Sequence, residues 1–194
     1  MAPTGMATAK TTLANLLLAD EGSFDRFRQE LEEFSKFARL LAQEQVAQEL
    51  KLGDMAYMIG VPVVHVTELA NGGKISPHRV KGPWELPYSD AQAEGAIDFG
   101  AASTYLLDLR EKLRDGHEPL MDILSAAKAL KPEQDLVIIT TFHAEPIRRL
   151  LGYRGFVSFA EKLAADHWQI RFRHRARAST KRTESGCCGS CGGH

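Results

Sequence analysis

The sequence predicts an α+β protein: a small all-α part, a two-layer β-α-β-α-β-β sandwich, and a flexible Cys-rich tail. Three observations predict it. Apolar residues recur at helical spacing between Phe24 and Leu41. Short β-branched runs alternate with Pro-started amphipathic segments between residues 103 and 177. Between them lies a connection dense in Gly and Pro, with Gly72, Gly73, Pro77, Gly82, Pro83, Pro87, Gly95 and Gly100. The divisions read as a helical domain over 8–71, a linker over 72–102, a sandwich over 103–177 and a tail over 178–194. Trp84, Leu86 and Tyr88 in the linker suggest that it packs against a domain.

Leu13, Leu16 and Leu17 mark a first short helix. Phe24, Phe27, Leu31, Phe34, Ala38 and Leu41 follow at steps of three and four, which predicts one amphipathic helix with Ser23 as its N-cap. A helix over 51–59 is stopped by Gly60, and Pro62 opens a last helix reaching Leu69. The Phe and Met stripe reads as core, and His65 as a surface or satisfied histidine rather than a ligand.

In the second part, 104–109 reads as a strand, followed by a helix from Pro119 to Leu130 that Pro132 ends. Residues 136–141 form a buried β-branched strand. A short helix follows over 146–151, and two strands over 156–163 and 168–173 close the sheet. Leu107, Ile123, Leu124, Val137, Ile139, Leu150 and Phe172 are the expected core.

Residues 1–100 hold 9 Lys and Arg against 14 Asp and Glu; the remainder hold 15 against 11. The basic excess lies in Arg171, Arg173, Arg175, Arg177, Lys181 and Arg182. Only Phe172 interleaves it, so it reads as a solvated strand edge and linker, and nucleic-acid binding is not expected. No apolar run is long enough to span a bilayer, and Met1–Lys10 lack a signal peptide's pattern. A cytoplasmic protein without membrane contact is expected.

Two segments resemble known families. Phe34, Phe37, Leu40, Leu52, Ala56, Gly60-Val61-Pro62, Leu69 and Asn71 resemble a small helical domain-of-unknown-function family, found beside metal or redox domains. Many of its members carry a central cysteine pair, whereas this chain has no cysteine before Cys187. Asp108-Leu109-Arg110, Glu118-Pro119, Thr141-Phe142, Glu145-Pro146-Ile147, Arg154-Gly155-Phe156 and the run from Trp168 to Phe172 resemble an uncharacterised bacterial domain family related to the TusA sulfur-transfer proteins. The resemblance implies the TusA-like sandwich. Those proteins carry persulfide sulfur on a cysteine of a Cys-Pro-x-Pro motif. Here Glu118 stands before Pro119 and Met121 replaces the second proline, and a carboxylate cannot carry sulfane sulfur.

Two sites are candidates. The first is Cys187, Cys188, Cys191 and His194, which hold every cysteine of the chain among glycines that let the backbone wrap one ion. Thiolates with an imidazole suit zinc, copper or an iron–sulfur species, delivered to a protein partner. The second is the set His117, Glu118, His143, Glu145, Asp166 and His167. Both helix starts follow strands and carry Glu-Pro behind a histidine, and parallel strands would deliver them to one sheet edge. If the third strand also runs parallel, the turn at Asp166-His167 arrives there too. Catalysis has little support, because no Gly-x-Ser-x-Gly elbow, phosphate-binding glycine loop or His-Glu-x-x-His occurs. The function expected is a non-catalytic accessory protein handling a soft metal, an iron–sulfur species or sulfur through the tail. The alternative is a redox-sensing or interaction module without bound metal.

Overall fold

The computed structural model describes residues 6–75 and 103–175. The tail residues Cys187, Cys188, Cys191 and His194 lie outside this range, as does the connection beyond Ile75. The chain is a mixed α/β protein in which helices come first and a four-stranded sheet follows. Among the described residues no helix is long and apolar enough to cross a membrane.

The first part holds α1 (Leu13–Ala19), α2 (Ser23–Glu30), α3 (Glu32–Leu41), α4 (Glu44–Glu49), α5 (Leu52–Ile59) and α6 (Val63–Ala70). The single helix expected over 23–41 is two helices. Leu31 breaks it with φ −124° and ψ 97°, and its side chain stays buried. In a straight helix, Phe24 and Phe34 would lie about 15 Å apart along the axis. The break folds α3 back, so their rings meet edge-on with centroids 5.2 Å apart, and Phe27 lies 5.3 Å from Phe34. A broken helix keeps the same three-and-four apolar pattern, and an aromatic cluster outweighs the lost hydrogen bonds. Ser23 is the first helical residue rather than the cap; its hydroxyl donates to the Asp20 carbonyl at 2.8 Å. Gly60 does end α5, with φ +79° in the left-handed region that closes helices.

The second part holds β1 (Ser103–Asp108), α7 (Arg110–Arg114), α8 (Leu120–Ala129), β2 (Gln134–Thr140), α9 (Glu145–Tyr153), β3 (Phe156–Ala164) and β4 (His167–His174). The single turn α7 is an addition to the expected order. The sheet runs β1-β2-β4-β3. β1 pairs parallel to β2, and β4 pairs antiparallel to both β2 and β3. One face carries Leu136, Ile138, Ile170, Phe172 and Phe156 into the core under α8 and α9. Ile123, Leu124, Val137, Ile139, Leu150 and Phe172 are all buried as expected, while Leu107 is partly buried against the core. Asp135 and Arg173 form a buried ion pair on the opposite face, 2.6 Å apart.

Both parts contribute to one continuous apolar cluster. The contact is chiefly α5 against α9. Tyr57 stacks on Tyr153 with centroids 4.3 Å apart. Arg154 donates from Nε at 3.0 Å and Nη2 at 2.9 Å to the buried Asp54, and from Nη1 to Glu49 at 3.1 Å. Gly53 allows this approach: a Cβ there would sit 2.5 Å from the Tyr153 hydroxyl.

Candidate functional site

Because β3 and β2 each run antiparallel to β4, β3 is parallel to β2 and β1. The turn carrying Asp166 therefore reaches the edge where β1 and β2 end. Asp108 closes β1 there and accepts from Arg110 Nε at 3.0 Å and Nη2 at 2.6 Å. That hydrogen bonding holds the Asp108 carboxyl below its ordinary range, and the charge of His167 across the edge lowers it further. The turn at Asp166-His167 thus arrives at this edge because β3 runs parallel to β1 and β2.

The turn from β2 into α9 is strained. Ala144 has φ +50°, a left-handed conformation that costs a non-glycine residue about 1 kcal/mol or more. This bend lays His143 against the Trp168 ring, with centroids 4.9 Å apart, and beside Arg148. Arg148 is 2% exposed and donates from Nε to the Ser158 hydroxyl at 3.2 Å. Burial lowers its guanidinium pKa to about 10, so it remains a cation at neutral pH.

A guanidinium has only donors, so the contact between Arg148 Nη1 and His143 Nε2 requires that nitrogen to accept. The ring proton then sits on Nδ1, 3.4 Å from Glu145 Oε2. Nε2 of His143 is thus taken by Arg148, while the protonated Nδ1 lies near Glu145 Oε2 without a hydrogen bond between them. Glu145 is half committed: Oε1 accepts from Arg149 Nε at 3.2 Å, while the buried Oε2, 3.7 Å from Arg148, accepts no hydrogen bond. The result is an interlocked Glu-His-Arg-Ser cluster that holds the start of α9 to β3.

His117 and Glu118 stand elsewhere. They line a cleft of about 1000 Å³ between α3 and the start of α8, shared with Lys36, Arg39, Lys112 and Asp122. His143, Glu145, Asp166 and His167 do not line it. The His117 backbone N–H donates to the Lys112 carbonyl at 2.9 Å, leaving the residue exposed. Glu118 is exposed as a residue, yet desolvation of its carboxyl raises its pKa against the opposing hydrogen bond from the Leu120 N–H. Lys112 and Asp122 pair across the cleft at 2.7 Å.

Of the six residues of the second candidate set, His117 and Glu118 line the cleft and the other four do not. Among the described residues no group of three or more His, Cys, Asp and Glu is placed to hold a metal. Sequence reasoning did not single out Arg148, and it named Trp168 and Arg154 as marks of a resemblance without giving either a role. A helix-start Glu145 followed by Arg148 and Arg149 at three- and four-residue spacing was the available signal for the first. What the edge can do chemically is position a turn, and what the cleft offers is a mixed-charge recess beside one elevated carboxyl. No family model, curated protein or solved structure matches the chain.

Proposed function

We propose that this protein is a non-catalytic accessory protein that takes up a soft or borderline metal ion, an iron–sulfur species or sulfur on Cys187, Cys188, Cys191 and His194 and passes it to a protein partner. The observation that carries this reading is the placement of every cysteine of the chain within 187–191, with a histidine three residues on. Cys188 and Cys191 have knuckle spacing, and the intervening glycines permit the tight wrap that a single ion needs. The preceding Ala-Ser-Thr-Lys-Arg-Thr-Glu-Ser run has the composition of a flexible arm, which suits exchange rather than a buried structural site. A reducing cytoplasm would keep these thiols available.

In this reading the second part is a TusA-like scaffold that has lost sulfur-carrier chemistry. Its order of elements and the Glu-Pro start of each main helix support the likeness. Glu118 occupies the carrier position without carrier chemistry, because its carboxylate forms no persulfide.

Elemental analysis of the full chain, purified without oxygen, beside a chain cut after Ser179, tests the proposal. About one equivalent of ion or sulfane sulfur per chain is expected in the first and none in the second. The thermal midpoints should coincide, since the removed run has the polar, glycine-rich composition of an arm that adds nothing to a packed core. Equal loading of both proteins would exclude the arm. Reversible disulfide formation without any metal would favour the redox-sensing or interaction module instead.

A further inference from the structure

The two edges of the sheet are built differently. β3 carries Glu161 and Lys162, both exposed, and its register with β4 shifts between Lys162 and Ala164. Charges and irregularities of this kind prevent an edge from pairing with another strand. β1 has neither. Ser103–Asp108 has no charge before Asp108, no proline and an unbroken register with β2. Leu106 is 63% exposed and Tyr105 42%. Among the described residues no strand pairs with its outer side.

The register also states which amides face outward. In a parallel ladder each residue turns its N–H and C=O to the same side. Leu109 donates to the Ile139 carbonyl at 2.9 Å, so Tyr105 and Leu107 face β2 by alternation. Thr104, Leu106 and Asp108 face away from the sheet.

We propose that β1 is a dimerisation edge, pairing antiparallel with β1 of a second copy about a two-fold axis at Leu106. In that register Leu106 meets Leu106 of the second copy, and Thr104 meets Asp108 on either side. All three outward-facing residues of each strand then exchange hydrogen bonds. An axis at Asp108 would set two carboxylates against each other. Thr104, Leu106 and Asp108 also share one face of the sheet, opposite the face on which Leu107 packs against the core. The exposed leucines would thus cover one another, and the threonine hydroxyl would reach the aspartate. This self-complementarity is what selects a second copy over an unrelated strand. The guarded β3 edges would stop growth at the dimer, giving one closed eight-stranded sheet. A six-residue strand pair buries less than a standard interface, so the dimer is expected at micromolar to millimolar concentration.

Sedimentation equilibrium of the reduced full chain over that range tests the proposal, the reductant removing any tail disulfide. Reversible dimerisation is expected in the natural protein. Leu106→Lys brings two ammonium groups together at the axis and should weaken the dimer at least about tenfold. Thr104→Lys faces Asp108 and should hold or tighten it, with a gain that added salt removes. Hydrogen exchange reads the same contact without a substitution. Amides of Thr104, Leu106 and Asp108 should gain protection as concentration rises, while the β3 edge does not change. A monomer at millimolar concentration would overturn the proposal, as would a dimer indifferent to Leu106→Lys. Concentration-independent protection of those amides in a monomer would assign the edge to the chain's own 76–102 segment and equally refute the dimer.

Discussion

Arg154 is the residue whose loss should separate the two parts of the molecule. Asp54 is 3% exposed and receives two bonds from Arg154 and one from the Lys51 N–H at 3.0 Å. Arg154→Ala leaves that carboxylate buried with only the backbone donor. Removing one partner of a buried pair costs about 3–5 kcal/mol, because the remaining charge is left uncompensated. At about 2–4 °C per kcal/mol for a chain of this size, the thermal midpoint should fall by about 6–20 °C. Urea unfolding followed by circular dichroism gives the free energy directly. Asp54→Asn added to Arg154→Ala should recover part of the loss, since the amide keeps its acceptor for Lys51 without a buried charge. The acid limb of the profile supplies a second reading. Desolvation raises the Glu49 pKa, but hydrogen bonds from Lys128 and Arg154 outweigh it and hold the carboxyl below its ordinary 4.5. A depressed carboxyl stabilises the fold above 4.5 and loses that contribution as pH falls through the lower folded value. That acid sensitivity should flatten in the variant. A free-energy change under about 1 kcal/mol would refute the view that this ion pair joins the two parts.

Other outcomes follow from single contacts. Gly53→Ala sets a methyl 2.5 Å from the Tyr153 hydroxyl and 3.1 Å from the Ala9 carbonyl. The stack on Tyr57 must shift, at a cost of about 1–3 kcal/mol by urea unfolding; an unchanged midpoint would show that the tyrosine simply swings away. Glu118→Gln should leave stability at neutral pH unchanged or slightly higher, although helix-dipole reasoning from sequence alone expects a small loss. Burial raises this carboxyl, so its ionised form weakens the fold as pH rises through the folded value. The variant should lose that pH dependence and keep the loading of the tail; complete loss of metal binding would move the site to the cleft. The tail truncation and the β1 substitutions add the loading and assembly tests given above.

Local chemistry made much of the framework legible. Gly60 can take φ +79° and Pro62 can open a helix wherever they stand, so the ends of α5 and α6 were readable. The β-branched run at Leu136–Ile139 declares a buried strand by composition, and Ile123 and Leu124 declare an inward helix face by spacing. The proposal for the tail rests on where the cysteines fall and on nothing tertiary, since those residues lie outside the described ones. What sequence could not decide depends on residues far apart in the chain. Leu31 fits a continuous helix by periodicity, and only the closure of Phe24 on Phe34 breaks it. Short polar helices such as α4 and α7 carry too few apolar residues to show a period. The histidines present the same limit more sharply. Spacing could suggest that His143 and His167 reach one edge, and the parallel strands bring them there. Spacing held no information on Arg148, which reaches His143 from the next helix turn and occupies its acceptor nitrogen. A side chain's identity is local, whereas which of its atoms remain free is set by the neighbours that tertiary packing delivers.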